Sequence, residues 1–157
     1  MRNKNYFIGF VALIIFLLIC YHFWTAVNFD NIKYVKIAGQ EIKVELVLTK
    51  EAQKRGLSGR NELKKGEGML FVFEQPARHY FWMKEMNFPI DIIWLSEGLK
   101  VIYVKKDARP ESYLSAGEVG LETYGPDADV KYVLEVSAGF LEENNLQIGD
   151  KIQFIYQ

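Results

Sequence analysis

The sequence predicts a mainly β (α+β) protein: a compact, barrel-like domain of about seven strands with two short helices, preceded by one transmembrane helix. Three observations predict it. Apolar and polar side chains alternate over several segments of strand length. Turn residues such as Gly39 and Gly98 separate those segments. Half of the 157 residues are hydrophobic, which allows one domain with a substantial core besides an N-terminal appendage.

The N-terminal segment predicts a membrane anchor. Residues 6–24 carry no formal charge, and a helix of that length nearly spans a bilayer core of about 30 Å. A cleaved signal peptide is the alternative interpretation. Cleavage after Ala26 would place bulky Trp24 upstream of the cut, and Cys20 lacks the small preceding residue of a lipoprotein signal. We therefore expect an uncleaved anchor.

The charges that flank this segment predict its orientation. Arg2 and Lys4 precede it, whereas the charges that follow it nearly cancel. The positive-inside rule then places the N-terminus in the cytoplasm and the domain outside the cell membrane. The expected organisation is an anchor at 1–27, a short tether at 28–33 and a domain at 34–157. If the segment were cleaved instead, the protein would be secreted or periplasmic.

The domain begins with a predicted hairpin and a short helix. Residues 34–49 alternate apolar and polar side chains on both sides of Gly39-Gln40, which predicts a hairpin with one buried face. Thr49 fits a helix N-cap and Gly56 fits a helix end. A helix is therefore predicted over residues 50–55.

Four further strands and a second helix are predicted from shorter apolar runs. Residues 68–73 and 80–86 are rich in aromatic and aliphatic side chains, as are residues 132–136 and 150–156. Such composition favours buried strands. A helix is predicted over residues 137–144.

A second hairpin is predicted over residues 90–106. Its turn lies at Glu97-Gly98, which places Trp94 opposite Val101. Both faces of this hairpin are apolar, so we expect it to be covered on both sides. The following residues, 108–129, have the glycines and prolines of a loop.

Charge and composition exclude several classes of function. The 19 basic residues include Arg2 and Lys4, so residues 28–157 hold 17 basic against 20 acidic residues, a net charge of −3. This acidic balance without a basic run argues against a nucleic-acid partner. Cys20 is the single cysteine and His79 the single histidine of the domain, so a zinc site of several His or Cys ligands is excluded. No motif for a nucleotide, metal or other cofactor is present, and none is expected.

Three isolated features have simple structural interpretations. Ser58 in GLSGR is superficially similar to a nucleophile elbow, but it follows a polar helix rather than a buried strand. Asp127 and Asp129 lack the later ligands of a calcium loop and favour a solvated turn. His79 could be a general base, although a lone histidine beside an aromatic residue is more often a partly exposed spacer.

The stretch HYFWMKEMNFPIDIIW, residues 79–94, contains the main candidate site. Asp91 lies in an apolar run, and burying an isolated charge costs several kcal/mol unless it has a partner. One interpretation is a structural ion pair with Lys84 or an arginine. The other is a pocket with aromatic walls that binds a small polar ligand. The candidate ligand-binding residues are Arg55, Arg60, Trp82, Lys84 and Asp91.

The chain contains five motifs, which in chain order are RGLSGR, GMLFVF, FWMKEMNFPIDIIW, YVLEVSAG and IGD. In these motifs it resembles the domain-of-unknown-function family 192. This is a group of small uncharacterised prokaryotic proteins, many with an N-terminal export signal. The resemblance covers residues 42–154 and implies a compact, mostly β fold without an established activity. It marks Arg55, Gly56, Leu57, Gly68, Met69, Leu70, Phe71, Phe81, Trp82, Met83, Lys84, Pro89, Asp91, Leu134, Glu135, Gly139, Gly149 and Asp150.

The chain departs from the family pattern at three places. These are Ser58, Ile90 and Glu85-Met86, where Asn-Thr is usual. The loss of Asn-Thr removes two neutral hydrogen-bonding side chains, which puts in doubt any shared ligand or reaction that relies on them.

Together, these observations predict a membrane-anchored extracytoplasmic domain that binds a ligand or assists another envelope protein, rather than an enzyme. The membrane, a small polar ligand and an envelope protein are the expected partners. One alternative is a hydrolase or lyase in which Asp91 is the base and Arg55 or Arg60 clamps an anion. This alternative requires Asp91 to open to a cleft near an arginine. Another is a structural partner of an envelope protein, which would need an exposed apolar patch.

Overall fold

The computed structural model describes residues 8, 10–18, 29–110 and 122–156. Residues 1–30 and 31–157 form two separate units. In the first unit, residues 10–18 are helical and exposed. No helix in the described ranges is both long and apolar enough to cross a membrane. The remainder of the predicted anchor, and residues 111–121 of the predicted loop, lie outside the described residues.

The second unit contains one seven-stranded sheet, which confirms the mainly β prediction. The elements are a 3-10 turn (Phe29–Asn31), β1 (Ile32–Ile37), β2 (Gln40–Val47), α1 (Lys50–Arg55), β3 (Glu67–Ala77), β4 (Ile90–Leu95), β5 (Val101–Ala108), β6 (Val130–Ser137), α2 (Phe140–Glu143) and β7 (Gln153–Tyr156). The sheet order is β5-β4-β6-β3-β2-β1-β7, and β2 and β3 pair in parallel. The short helix α1 follows β2, and α2 follows β6.

The sheet is not closed, which corrects the expected barrel-like arrangement. Its edge strands, β5 and β7, form no ladder with each other. The residues that precede these two strands meet at one end, where Lys100 and Lys151 form an isolated bridge. There the Val101 amide donates to the Asp150 carbonyl and the Gly149 amide donates to the Val101 carbonyl, both at 2.8 Å. These bonds join β5 to the segment that precedes β7, and the sheet stays open.

Capping and turn residues predicted the positions of the first hairpin turn and of α1 to within one residue. Thr49 Oγ1 accepts a hydrogen bond from the Ala52 amide at 3.2 Å, as an N-cap does. Gly56 ends α1 with a φ of 49°, a conformation that glycine adopts without strain. The turn of the first hairpin lies at Ala38-Gly39, one residue before the predicted position.

The second hairpin has its predicted turn but a different register. Trp94 pairs with Tyr103 rather than with Val101. Residues 96–100 form the connection, and the pairing shifts by one residue between Trp94 and Leu95. This irregularity is invisible in an alternation pattern. All six residues of β4 are buried, so this strand is covered on both faces as expected, whereas β5 is partly exposed.

The predicted strand at residues 80–86 is wrong. Phe81 forms one isolated bridge with Tyr124, and a turn at Lys84-Glu85 then ends the extended stretch. Tyr80 and Trp82 are exposed while Met83 is buried, so exposed and buried side chains alternate as far as that turn. Glu85 has a φ of 55°, a left-handed conformation that interrupts any strand.

The pairing of β6 separates two buried layers. Glu135 lies opposite Met69 of β3 and Ile92 of β4, so these three side chains share one face of the sheet. Val136 lies opposite Asp91, and both point to the other face. The first face packs against α1 and the irregular segment at 79–88, where a cluster of buried apolar residues lies.

Candidate functional site

A cleft of about 240 Å³ opens on the first face of the sheet. We call it the Glu135 cleft. Its wall is built from the end of α1, the middle of β3 and the segment that follows β3, and Glu135 of β6 also lines it. Its lining residues include Lys54, Arg55, Ser58, Phe71, Phe73, His79, Tyr80, Trp82 and Glu135.

The end of α1 supplies the cationic side of the cleft. Lys54 and Arg55 are exposed there, and neither an ion pair nor a hydrogen bond joins the Arg55 guanidinium to the described residues. Gln53 Nε2 donates to the Val72 carbonyl at 2.9 Å and fixes α1 on β3. A Cβ at Gly56 would lie 3.4 Å from the Phe71 ring, so the chain passes close to the aromatic wall.

Hydrogen bonds hold the irregular segment that forms the opposite side. The Phe81 and Tyr124 backbones exchange two hydrogen bonds of 2.8 Å. Trp94 Nε1 donates to the His79 carbonyl at 2.8 Å. At Gly125 a Cβ would lie 2.8 Å from that carbonyl oxygen, which leaves room only for glycine. This segment is therefore positioned by tertiary contacts instead of by a strand ladder.

Aromatic rings form most of the wall. Phe73 and His79 stack with ring planes 10° apart, and Phe71 contacts Phe81 edge-to-face with ring centroids 4.9 Å apart. Tyr80 and Trp82 are 49% and 42% exposed. Such rings at a cleft can stack on a flat ligand at low entropic cost, because they are already ordered.

Glu135 is the most unusual residue of the cleft. It is 5% exposed, and its Oε2 atom has no hydrogen-bond partner among the described residues. Burial raises the pKa of its carboxyl to about 8, and the charge of Arg60 opposes this shift only in part. At pH 7 Glu135 is therefore a neutral carboxylic acid, with an O–H group that can donate a hydrogen bond.

His79 presents a second polar atom without a partner. Burial lowers the pKa of its imidazole, and a hydrogen bond to the Gln75 backbone and the charge of Asp129 oppose this shift. The ring is therefore neutral at pH 7. Its Nε2 atom is buried and makes no hydrogen bond within the part of the chain that the structure describes. Since the bond to Gln75 favours the protonated ring, we infer that Nδ1 donates it and that Nε2 is an acceptor.

Asp91 lies on the opposite face of the sheet and does not line the Glu135 cleft. It is 1% exposed. Its Oδ1 and Oδ2 atoms accept hydrogen bonds of 2.8 Å from the amides of Asp107 and Leu141. These amides, rather than Lys84 or an arginine, are its partners. The opening towards an arginine that a catalytic Asp91 requires is not found in the described structure.

Arg60 and Lys84 are also outside the lining of the cleft. Arg60 Nη2 donates to both carboxylate oxygens of Glu45 at 2.8 Å. Lys84 Nζ lies 3.9 Å from Glu85 on the surface. Of the five candidate residues, Arg55 and Trp82 line the Glu135 cleft and the other three do not, although the charge of Arg60 acts on the Glu135 carboxyl.

Ser58 and Asp127 have structural contacts. Ser58 Oγ donates to the Lys84 carbonyl at 2.8 Å, which joins the loop after α1 to the turn at residues 84–85. Tyr80 Oη donates to Asp127 Oδ1 at 3.2 Å, and Arg78 pairs with the same carboxylate at 3.7 Å. These contacts hold the edge of the cleft in place.

Glu135 belongs to the residues that the family resemblance marks, but it was not among the predicted ligand-binding residues. The signal was present, because Glu135 interrupts the apolar strand YVLEV in the way that Asp91 interrupts IDIIW. What the sequence could not show is which of the two carboxyls finds partners. Asp91 meets two backbone amides from distant segments, whereas Glu135 faces the cleft.

Comparison with known proteins identifies a family and two solved structures with a similar fold. The model of the DUF192 family, described as "Uncharacterized ACR, COG1430", matches residues 33–154. A protein of unknown function from Novosphingobium aromaticivorans DSM 12444 is similar in structure, with a TM-score of 0.69 and 26% identity over 82% of this chain and 89% of that one. A candidate transcription regulator from Sinorhizobium meliloti 1021 has a TM-score of 0.67 and 23% identity over 77% of this chain and 90% of that one. None of the curated proteins is detectably similar.

The family match confirms the resemblance that the five motifs predicted. It includes all seven strands except the first residue of β1 and the end of β7. It also includes every residue that lines the Glu135 cleft. The chain therefore belongs to the DUF192 family.

Proposed function

We propose that the domain is a non-catalytic binding module that holds a small polar molecule with a flat or sugar-like ring in the Glu135 cleft. The observation that carries this proposal is the carboxyl of Glu135. It is buried at a cleft with aromatic walls, and one of its oxygens has no partner among the described residues. A ligand that hydrogen-bonds to this oxygen would supply the missing partner.

The energetics of Glu135 support a role outside folding. The unfolded chain can ionise this carboxyl at its ordinary pKa of 4.5, whereas the folded chain holds it neutral up to about pH 8. At pH 7 this difference destabilises the fold by about 3 kcal/mol. A buried polar group that destabilises its own fold is typical of a functional site.

The other groups of the cleft complement such a ligand. The Glu135 hydroxyl can donate and the His79 Nε2 atom can accept, which suits a molecule that carries a hydroxyl or an acid group. Tyr80 and Trp82 offer exposed ring faces. A neighbouring depression of about 560 Å³ shares Gln53, Phe73 and His79 with the cleft, so a larger molecule has room to extend.

A titration of the full-length protein tests this proposal. The probes are D-glucose, N-acetyl-D-glucosamine, D-glucuronate and benzoate. Their binding is monitored by tryptophan fluorescence and ligand-observed NMR. We expect at least one probe to bind, and Trp82→Ala and Glu135→Leu each to weaken it about tenfold or more. Tyr156→Ala is the matched control, because Tyr156 is an aromatic residue of β7 with a similar exposure of 50%. Absence of binding by all four probes, or equal binding by the cleft variants, would refute the proposal.

We also propose that residues 1–27 anchor the domain to the outer side of the cell membrane. The support comes from the sequence: residues 6–24 are uncharged and Arg2 and Lys4 precede them. Fractionation with alkaline washing, and mass determination of the N-terminus, test this. An intact chain in the membrane fraction is expected. A chain cleaved near Ala26 and released from the membrane would instead support the secreted alternative.

A further inference from the structure

We propose that the Glu135 cleft selects an organic anion, whose carboxylate accepts a hydrogen bond from the protonated carboxyl of Glu135 and faces the guanidinium of Arg55. This inference rests on the proposed binding function and adds the charge class of the ligand. It concerns residues that the sequence alone did not bring together.

The charges of the lining are the first observation. Lys54 and Arg55 are exposed cations of the lining, and Glu135 is its single acidic residue. The guanidinium of Arg55 has no counter-ion among the described residues, while the guanidinium of Arg60 already holds Glu45. The cleft therefore offers positive charge to a ligand, and a guanidinium matches a carboxylate in both charge and shape.

The state of Glu135 is the second observation. Its Oε2 atom is buried and lacks a partner in the described part of the protein. A neutral carboxyl is a donor, and an O–H···O⁻ bond to a carboxylate is stronger than a bond to a neutral acceptor. A cationic ligand would instead need an ionised Glu135 and would meet Lys54 and Arg55. The burial that raises the pKa of Glu135 to about 8 therefore favours an anion at neutral pH.

The aromatic walls are the third observation, because they limit the shape of the anion. The stacked pair Phe73–His79 and the exposed rings of Tyr80 and Trp82 leave flat surfaces at the cleft. A carboxylate attached to a ring can place the ring against these surfaces while the acid group reaches Glu135. This arrangement separates the apolar contact from the polar contact within one small molecule.

Three matched probes test this inference on the full-length protein. Benzoate, benzamide and benzamidinium share one ring and differ in charge, and each keeps its charge between about pH 6 and 10. We expect benzoate to bind most tightly at neutral pH. Its Kd should rise about tenfold per pH unit once Glu135 ionises, above about pH 8. The Kd of benzamide should change less, because a neutral amide is not repelled as a carboxylate is.

Substitutions test whether Glu135 and Arg55 cause the affinity for benzoate and its pH dependence. In Glu135→Gln a neutral donor remains at every pH, so the pH dependence of benzoate binding should disappear. Arg55→Met should weaken benzoate about fivefold or more and leave benzamide within about twofold. Lys36→Met is the matched control, since it removes an exposed positive charge from β1 and should leave both affinities unchanged.

The outcomes separate this inference from the proposed function. Equal or tighter binding of benzamide or benzamidinium would overturn the anion selectivity and leave the cleft as a binding site. So would a benzoate affinity that does not change with pH, or an Arg55→Met variant with normal affinity. If the three probes fail while a neutral sugar binds, the anion inference alone is refuted. If no probe of either panel binds, both are refuted.

Discussion

Replacement of Glu135 by glutamine should stabilise the protein in a manner that depends on pH. Burial raises the pKa of this carboxyl from 4.5 to about 8. Below about pH 4.5 the carboxyl is protonated in the folded and unfolded chains, so it has no effect on the free energy of unfolding. As the pH rises from about 4.5 to about 8, the unfolded chain gains from ionisation and the folded chain does not. The free energy of unfolding therefore decreases over this pH interval and is constant above it.

The magnitude follows from the two pKa values. Each pH unit between them is worth about 1.4 kcal/mol, so Glu135 reduces the free energy of unfolding by about 3 kcal/mol at pH 7. Above about pH 8 the loss reaches about 5 kcal/mol. Glutamine has nearly the same shape and cannot ionise. Glu135→Gln should therefore match the wild type near pH 4.5 and exceed its stability by about 3 kcal/mol at pH 7.

Urea unfolding, followed by circular dichroism at about pH 4.5, 7 and 8.5, measures this difference. Glu41→Gln is the matched control, because Glu41 is an exposed carboxylate of β2 and its replacement should change stability by less than about 0.5 kcal/mol at each pH. Equal stability of Glu135→Gln and the wild type at pH 7 would mean that Glu135 ionises freely in the fold and is not held neutral by burial.

Three further substitutions test the framework of the site by urea unfolding at pH 7. Glu85→Asn should stabilise the protein by about 0.5–1 kcal/mol, because asparagine tolerates the left-handed φ of 55° better than glutamate does; a loss of stability would contradict this. Ser58→Ala removes a 2.8 Å hydrogen bond to the Lys84 carbonyl and should cost about 1 kcal/mol, and no change would show that this bond does not hold the loop. Asp91→Asn replaces an acceptor of two amides by a group with one acceptor oxygen, so it should cost about 2–4 kcal/mol. An Asp91→Asn protein with unchanged stability but altered ligand binding would favour a functional Asp91.

Local chemistry explains why parts of the fold were predictable. The cap at Thr49 and the left-handed end at Gly56 depend on neighbouring residues only, so the bounds of α1 follow from the sequence. The register of the second hairpin depends on an irregularity after Trp94. The openness of the sheet depends on how strands far apart in the chain meet, and neither feature leaves a periodic signal.

The candidate site was predictable only in part for a related reason. The sequence showed that two acids, Asp91 and Glu135, interrupt apolar strands. It could not show that the amides of Asp107 and Leu141 reach Asp91 from segments 16 and 50 residues away. The antiparallel pairing of β4 with β6 then places the two acids on opposite faces of the sheet. Only one of them can face the cleft.

The structure of the segment at residues 79–88 was also predictable only in part. Its aromatic residues predicted a strand, and the alternation of burial is real as far as Met83. The turn at Glu85 depends on bonds from the loop after α1, where the Gly59 amide donates to the Glu85 carbonyl at 2.8 Å. Tertiary contacts therefore overrule local propensity at the edge of the cleft.

A direct measurement of the ionisation of Glu135 is the sharpest test of the proposed binding site. The chemical shift of its side-chain carboxyl carbon can be followed against pH in the free protein and with saturating benzoate, with the Glu135→Gln spectrum to assign the signal. We expect a pKa of about 8 in the free protein and a higher pKa with benzoate, because a bound carboxylate favours the protonated form. A carboxyl that titrates near 4.5 and does not respond to the probes would contradict the claim that Glu135 is a buried acid that awaits a ligand.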